Sequence, residues 1–153
     1  MSRKKIIFSL NNGERKYSIK ISDSRKTYTN IEKDVTIIEL YPEKDNINDE
    51  SFLHIDKNIY KDEPNKTYRN KTIYIIHYEN GKKVKYSLGI IKGISEDNYN
   101  IKYSCSTETG SSGGPIINLL NLNVMGIHKG VDKFNLGTLI KSSIDVYNES
   151  GKI

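Results

Sequence analysis

The sequence predicts an all-β, antiparallel protein closed by one C-terminal helix, and three observations point there. Ala, the best helix former, is missing from all 153 residues, as are Gln and Trp, whereas Ile and Tyr, which suit a pleated and half-buried surface, are abundant. Apolar residues recur at every second position in short segments separated by Asn, Gly and Asp. Lys141 to Glu149 has Ile144 and Tyr147 one turn apart and reads as the single helix.

In chain order, Lys5 to Leu10 and Lys16 to Ile21 alternate on either side of Asn11-Asn12-Gly13 and form a hairpin. A polar stretch from Ser22 to Lys33 leads into Val35 to Leu40, a short apolar strand immediately preceded by Asp34. Residues Tyr41 to Arg69 hold two of the three prolines and show little periodicity, so they read as a long connection between two strand-rich parts. Lys71 to Tyr78 and Lys83 to Ile91 flank Asn80-Gly81 as a second hairpin, and Tyr99 to Tyr103 is a further strand. Ser104 to Pro115 is small, polar and glycine-rich, hence an irregular loop. Ile116 to Leu119 and Asn123 to His128 then pair around Asn121, and Phe134 to Ile140 is the last strand. The organisation expected is 1–45, a connection over 46–70, and 71–153.

The balance of 24 basic and 19 acidic residues leaves a net charge of +5. The basic residues are scattered in short pieces such as Arg3-Lys4-Lys5 and Lys82-Lys83, with no nucleic-acid motif beside them. The excess reads as solvated surface, and no nucleic-acid partner is expected. No apolar run approaches the ~18 residues of a membrane span, and the few apolar residues after Lys5 are too short for the core of a signal peptide. No membrane partner is expected. The single cysteine, Cys105, cannot close an internal disulfide, no Cys/His cluster has zinc-ligand spacing, and nothing else calls for a metal or cofactor. The compartment is not written in the sequence.

Chemistry concentrates in Gly110-Ser111-Ser112-Gly113-Gly114-Pro115. Glycines on both sides of Ser112 allow a tight turn that pushes its hydroxyl outward, with its own N–H and that of Gly110 pointing the same way. A hydroxyl beside two convergent N–H donors has the parts of a nucleophile and an oxyanion hole. The plainer alternative is a glycine-rich surface turn.

The flanks favour the first reading. That string, followed by a strand, a turn and a second strand ending Met125-Gly126-Ile127-His128-Lys129-Gly130, resembles the C-terminal half of trypsin-like serine proteases. Asp34-Val35-Thr36-Ile37-Ile38-Glu39-Leu40 is similar to the segment of that family that carries the triad aspartate. The resemblance implies two packed antiparallel β-barrels, here an incomplete N-terminal one and a complete C-terminal one, with a C-terminal helix. It implies a serine endopeptidase acting on peptide or protein substrates, with Ser112 as nucleophile, Asp34 as the supporting carboxylate, and the N–H groups of Gly110 and Ser112 as oxyanion donors. Ser111 stands where trypsin itself has an aspartate that pairs with a new N-terminus, so activation by that route is not expected. Ser106-Thr107-Glu108-Thr109-Gly110 and Gly126-Ile127-His128 resemble the glutamyl-endopeptidase, V8-like branch, in which Thr107 and His128 would bind an acidic substrate side chain. A hydroxyl and an imidazole can both donate hydrogen bonds to a carboxylate. A histidine packed at the end of a core strand is the other reading of His128.

In this family the triad runs His, Asp, Ser along the chain. His54, His77 and His128 all follow Asp34, so none is in place to be the base. The order Asp, His, Ser through His54 would belong to a subtilisin-like α/β fold, which this composition does not supply. The expectation is therefore a chain lacking the first strands of its N-terminal barrel, inactive as it stands, whether through a misplaced start, a gene fragment or true loss of the enzyme. The alternative to an enzyme is a pseudoprotease that binds peptides without cutting them. An incomplete barrel would leave strand edges open to a missing N-terminal segment or to another chain.

Overall fold

The computed structural model describes residues 5–10, 15–47, 52–80 and 83–150. Its N-terminal part holds two small sheets. Strands β1 (Lys5–Leu10) and β2 (Arg15–Lys20) pair antiparallel, and Phe8 stacks on Tyr17 directly opposite, their centroids 5.3 Å apart. The connecting turn read at Asn11-Asn12-Gly13 lies outside the described residues. Strands β3 (Thr27–Asn30) and β4 (Val35–Ile38) pair in the same sense. The polar stretch from Ser22 to Lys33 thus contains a strand. Thr-Tyr-Thr-Asn has no apolar alternation to betray it, yet Thr and Tyr suit a strand, and Thr29 meets Thr36 across the pair at 3.2 Å.

A buried guanidinium holds these sheets together. Arg25 donates from both terminal nitrogens to the Asp45 carboxylate at 2.8 Å, and also to the carbonyls of Lys20 at 3.1 Å and Glu39 at 2.7 Å. One side chain therefore ties the end of β2, the exit of β4 and helix α1 (Pro42–Asp45), and four of its five donors are used with geometry a lysine lacks.

The connection is not structureless. It carries α1, a 3₁₀ turn (Lys57–Tyr60) and α2 (Pro64–Tyr68). Both short helices begin at a proline, whose missing N–H costs nothing in the first turn, but they are too brief to show a 3.6-residue period. Asp56 is buried and organises this segment. Its carboxylate accepts from the Asn58 N–H at 3.0 Å, the Asn58 side chain at 2.9 Å, Asn118 at 2.8 Å and Asn121 at 3.1 Å. Burial pushes its pKa up, but the hydrogen bonds from Asn118, Asn58 and Asn121 outweigh that and hold the carboxyl below its ordinary value.

A carboxyl lowered in the folded state contributes stability that is complete above the unfolded pKa of ~4 and is lost as pH falls through the lowered native value. Asp56→Asn turns an acceptor toward donors as a donor itself. It should cost about 2 kcal/mol at neutral pH, and that deficit should shrink in urea titrations as the pH falls below the ordinary carboxylate range. A deficit independent of pH would mean that the charge of Asp56 is not what matters.

The remaining strands are β5 (Thr72–Glu79), β6 (Lys83–Ile94), β7 (Asn100–Cys105), β8 (Pro115–Asn118), β9 (Val124–Val131) and β10 (Asn135–Leu139). They close a six-stranded antiparallel barrel in the order β10-β7-β6-β5-β8-β9. Alternation places Ile73 and Ile75 of β5, Ile101 and Tyr103 of β7, and Met125 of β9 in a core from which solvent is excluded. Register shifts in three strand pairs, at Ile91/Gly93, Ile116/Ile117 and Leu136/Gly137, supply the local bends that closure requires. The expected terminal helix is α3 (Lys141–Glu149). It returns to the N-terminal part, where the Lys26 ammonium lies 4.1 Å from the Tyr147 ring centroid.

Candidate active site

The bend between β7 and β8 is held from three sides. Gly110 has φ of +92°, and a Cβ there would lie 2.9 Å from both the Tyr78 carbonyl oxygen and the Asn80 nitrogen, so only glycine fits. The Asn80 N–H donates to the Thr109 carbonyl at 2.9 Å. On the other flank, Gly113 N–H donates to the His128 carbonyl and His128 N–H donates to the Gly114 carbonyl, both at 2.8 Å, which docks the bend on β9. From beneath, the buried Ser111 hydroxyl lies 2.8 Å from Nδ1 of His77 on β5.

The amides of the bend divide in a way that bears on its chemistry. Ser111 N–H donates to the Glu108 carbonyl at 3.0 Å, Gly114 N–H to the Ser111 carbonyl at 3.1 Å, and Gly113 N–H to His128. Among the described residues, the N–H groups of Gly110 and Ser112 have no acceptor in the chain. The Ser112 side chain between them is exposed, its hydroxyl 3.4 Å from the Lys129 carbonyl. A hydroxyl open to solvent beside two uncommitted amides can offer a nucleophile and donors to a developing oxyanion.

Thr107 and His128 come to the same pair of strands. Thr107 donates to Oδ1 of Asn135, whose Nδ2 donates to the Cys105 carbonyl at 2.6 Å, so the start of the loop is fastened to β10. The imidazole of His128, on the neighbouring β9, is 2% exposed, with Nδ1 2.5 Å from the Tyr103 hydroxyl. Burial lowers the pKa of His128, and the nearby His77 lowers it further. The Tyr103 phenol is pushed up by burial, stays protonated and donates, which leaves the His128 proton on Nε2.

Asp34 stands apart from these. It ends the turn before β4 with φ of +52°, a conformation that Asp tolerates better than most residues, and its side chain is exposed. The adjacent Lys33 carbonyl accepts from Thr138 of β10 at 2.8 Å, which moors the turn beside the barrel. No hydrogen bond or ion pair joins the Asp34 carboxylate to Ser112 or to a histidine among the described residues. His54 lies exposed in the connection, where its carbonyl accepts from Val124 N–H.

A family model for the trypsin-like peptidase domain matches residues 7–127. The chain belongs to the trypsin-like peptidase family. Its fold is similar to that of the serine endoprotease from Yersinia pestis, with a TM-score of 0.69 and 16% identity over 95% of this chain and 48% of that one. It is also similar to the serine protease domain of the Sesbania Mosaic Virus polyprotein, with a TM-score of 0.61 and 16% identity over 91% of this chain and 68% of that one. At these identities the likeness speaks for the fold. The chain spans about half the length of the Yersinia structure. Comparison with curated protein sequences finds no match.

For a trypsin-like peptidase domain, the residues that the sequence did not single out are those supporting the bend. His77, Asn135 and Tyr103 hold it and the adjoining strands through single side-chain contacts. His77 had a readable signal, since it continues the alternation of Ile73 and Ile75 and so faces inward.

Proposed function

We propose that this is a serine endopeptidase domain that acts through an acyl-enzyme on Ser112. The single observation that carries the reading is the pairing of an exposed Ser112 hydroxyl with the uncommitted N–H groups of Gly110 and Ser112. The hydroxyl oxygen would attack the carbonyl carbon of a peptide, the two amides would hold the oxyanion, and collapse would expel the amine and leave the acyl group on Oγ. Asp34 would orient and support a histidine base from outside these 153 residues. We also propose the organisation of 1–45 as part of an N-terminal barrel, 46–70 as connection and 71–153 as C-terminal barrel and helix. A chain supplied with an upstream histidine strand should hydrolyse peptide esters and lose that activity on Ser112→Ala. Hydrolysis surviving Ser112→Ala would end the proposal.

The finer reading is a preference for cleavage after acidic residues, with Thr107 and His128 at the substrate carboxylate; to donate there, Thr107 would turn its proton away from Asn135 and His128 its ring N–H away from the Leu136 backbone. Because His128 is buried, His128→Val should lower the midpoint of thermal unfolding as well as relax the preference. In a base-supplied chain, the ratio of kcat/KM for Glu over Gln substrates should fall about tenfold or more, the effect of one lost charge-assisted hydrogen bond. An unchanged ratio in a folded variant would remove His128 from the pocket.

A second reading, a pseudoprotease that binds peptides, is favoured by the histidines that are present. Both ring nitrogens of His77 are engaged by Ser111 and Ser87, and Nδ1 of His128 is engaged by Tyr103. A base-supplied chain that binds peptides at the bend yet never acylates Ser112 would support it.

A further inference from the structure

The nucleophile bend has a floor, and the floor is made of side chains whose protons can be assigned from the contacts alone. Ser111 Oγ accepts from the Glu108 N–H at 3.1 Å. Its own proton then goes to the other neighbour, Nδ1 of His77 at 2.8 Å, because a buried hydroxyl left without an acceptor is costly. With Nδ1 accepting, the imidazole carries its proton on Nε2, which faces the Ser87 hydroxyl of β6 at 3.0 Å. His77 is 3% exposed and Ser111 1% exposed, so water does not compete for either contact. The relay runs from β6 through β5 into the residue between the two uncommitted amides.

We propose that His77 is a positioning residue of the bend: fixed by Ser87 on one side, its imidazole holds the Ser111 hydroxyl on the other and, together with the backbone bonds to the Thr109 and Ser111 carbonyls, sets the direction of the Gly110 and Ser112 N–H groups. This rests on the reading of Ser112 as nucleophile for its purpose, but not for its geometry. The peptide units that carry the two N–H groups are held through their carbonyls, Thr109 accepting from the Asn80 N–H at 2.9 Å and Ser111 from the Gly114 N–H at 3.1 Å, and Ser111 is the residue between them. Its side chain adds a contact to β5 beneath them. A hydroxyl at position 111 needs an acceptor beneath it, and an imidazole nitrogen at an inward-facing strand position supplies one.

Two substitutions separate positioning from packing. In His77→Asn the side-chain oxygen falls near the place of Nδ1, which keeps the acceptor for Ser111 and gives up Ser87. In His77→Gln the amide reaches the place of Nε2, which keeps Ser87, fills more of the space and gives up the acceptor. If His77 only packs, the smaller Asn is the worse replacement by every measure. If it positions, Asn rescues the bend and Gln does not.

The experiment is a set of amide and imidazole nitrogen spectra on the 153-residue chain. In the parent, His77 should show the Nε2–H tautomer. In His77→Gln, the Gly110 and Ser112 amide signals should shift, and exchange at the bonded amides of Ser111, Gly113 and Gly114 should quicken about tenfold or more, while those of Ile101 and Leu139 hold. His77→Asn should leave the bend signals near their parent positions. Ser111→Ala cuts the same contact from the loop side and should reproduce the Gln result even if the His77 variants fold poorly. Bend signals and exchange unchanged in both Ser111→Ala and His77→Gln would overturn the proposal, as would the Nδ1–H tautomer in the parent. Failure of a base-supplied parent chain to acylate at Ser112 would count against the endopeptidase reading and leave the spectra to decide on His77.

Discussion

A fluorophosphonate probe should label Ser112 only slowly in the 153-residue chain, and at least ~10²-fold faster once a histidine base is supplied from an upstream strand. General-base catalysis typically contributes ~10²–10⁴-fold, and a site lacking one triad member retains only what binding and oxyanion donors give. Among the described residues, no hydrogen bond joins a histidine to the Ser112 hydroxyl. His77 lies beneath the bend with both nitrogens occupied, His128 is buried against Tyr103, and His54 is in the connection. The hydrogen bond recorded for the Ser112 hydroxyl is to the Lys129 carbonyl, an acceptor that cannot take its proton. Labelling should be abolished by Ser112→Ala and should need Asp34 only in the base-supplied chain, since a carboxylate without an imidazole to orient contributes little. Rapid, Ser112-dependent labelling of the 153-residue chain would mean that one of its own groups acts as base, and the assignment above would be wrong.

The parts of this molecule that were legible in the sequence are those whose signal is local. The barrel strands alternate because one face of each is buried, so Ile73, Ile75 and His77, or Ile101 and Tyr103, can be assigned to the inside from order alone. Helix α3 was legible because it is long enough to show its period. β3 was not, because its pattern is Thr, Tyr, Thr and its pairing with β4 decides it. The helices α1 and α2 begin at prolines that equally mark turns, and nothing in four or five residues separates the two meanings. At the site the same division holds. The glycines that shape the bend announce themselves, because few other roles demand glycine at those spacings. The His77–Ser111 contact links positions 34 residues apart, and the sequence shows that His77 faces inward without showing what it meets. Likewise Asp56 reads as one acid among many in a polar connection until Asn118, at the end of β8, and Asn121, in the turn after it, arrive beside it.

Gly89→Ala should severely destabilise the barrel, while Gly93→Ala on the same strand should be tolerated. Gly89 of β6 stands opposite Cys105 of β7, where the two backbones approach so closely that a Cβ would lie 1.9 Å from the Ser104 carbonyl oxygen and 3.0 Å from Cys105 Cβ. The first obstacle is backbone, so no rotamer change relieves it. The strands must part, and with them goes a ladder that closes the barrel. The expected cost is about 4 kcal/mol or more, a large share of the stability of a domain this size. At Gly93 the same methyl would meet only the Asn65 side-chain oxygen at 3.5 Å, an ordinary contact, and its lower unfolded-state entropy offsets any small repacking, so the change should stay within about 1 kcal/mol. Denaturant midpoints of the two variants read this difference directly. The consequence reaches the bend, because β7 ends at Cys105, whose carbonyl is fastened by Asn135, and a parted β6 and β7 would release the start of the loop that leads to Ser112. Equal midpoints for the two variants would show that β6 and β7 do not approach as closely as their paired backbones imply, and the barrel wall behind the bend would have to be redrawn.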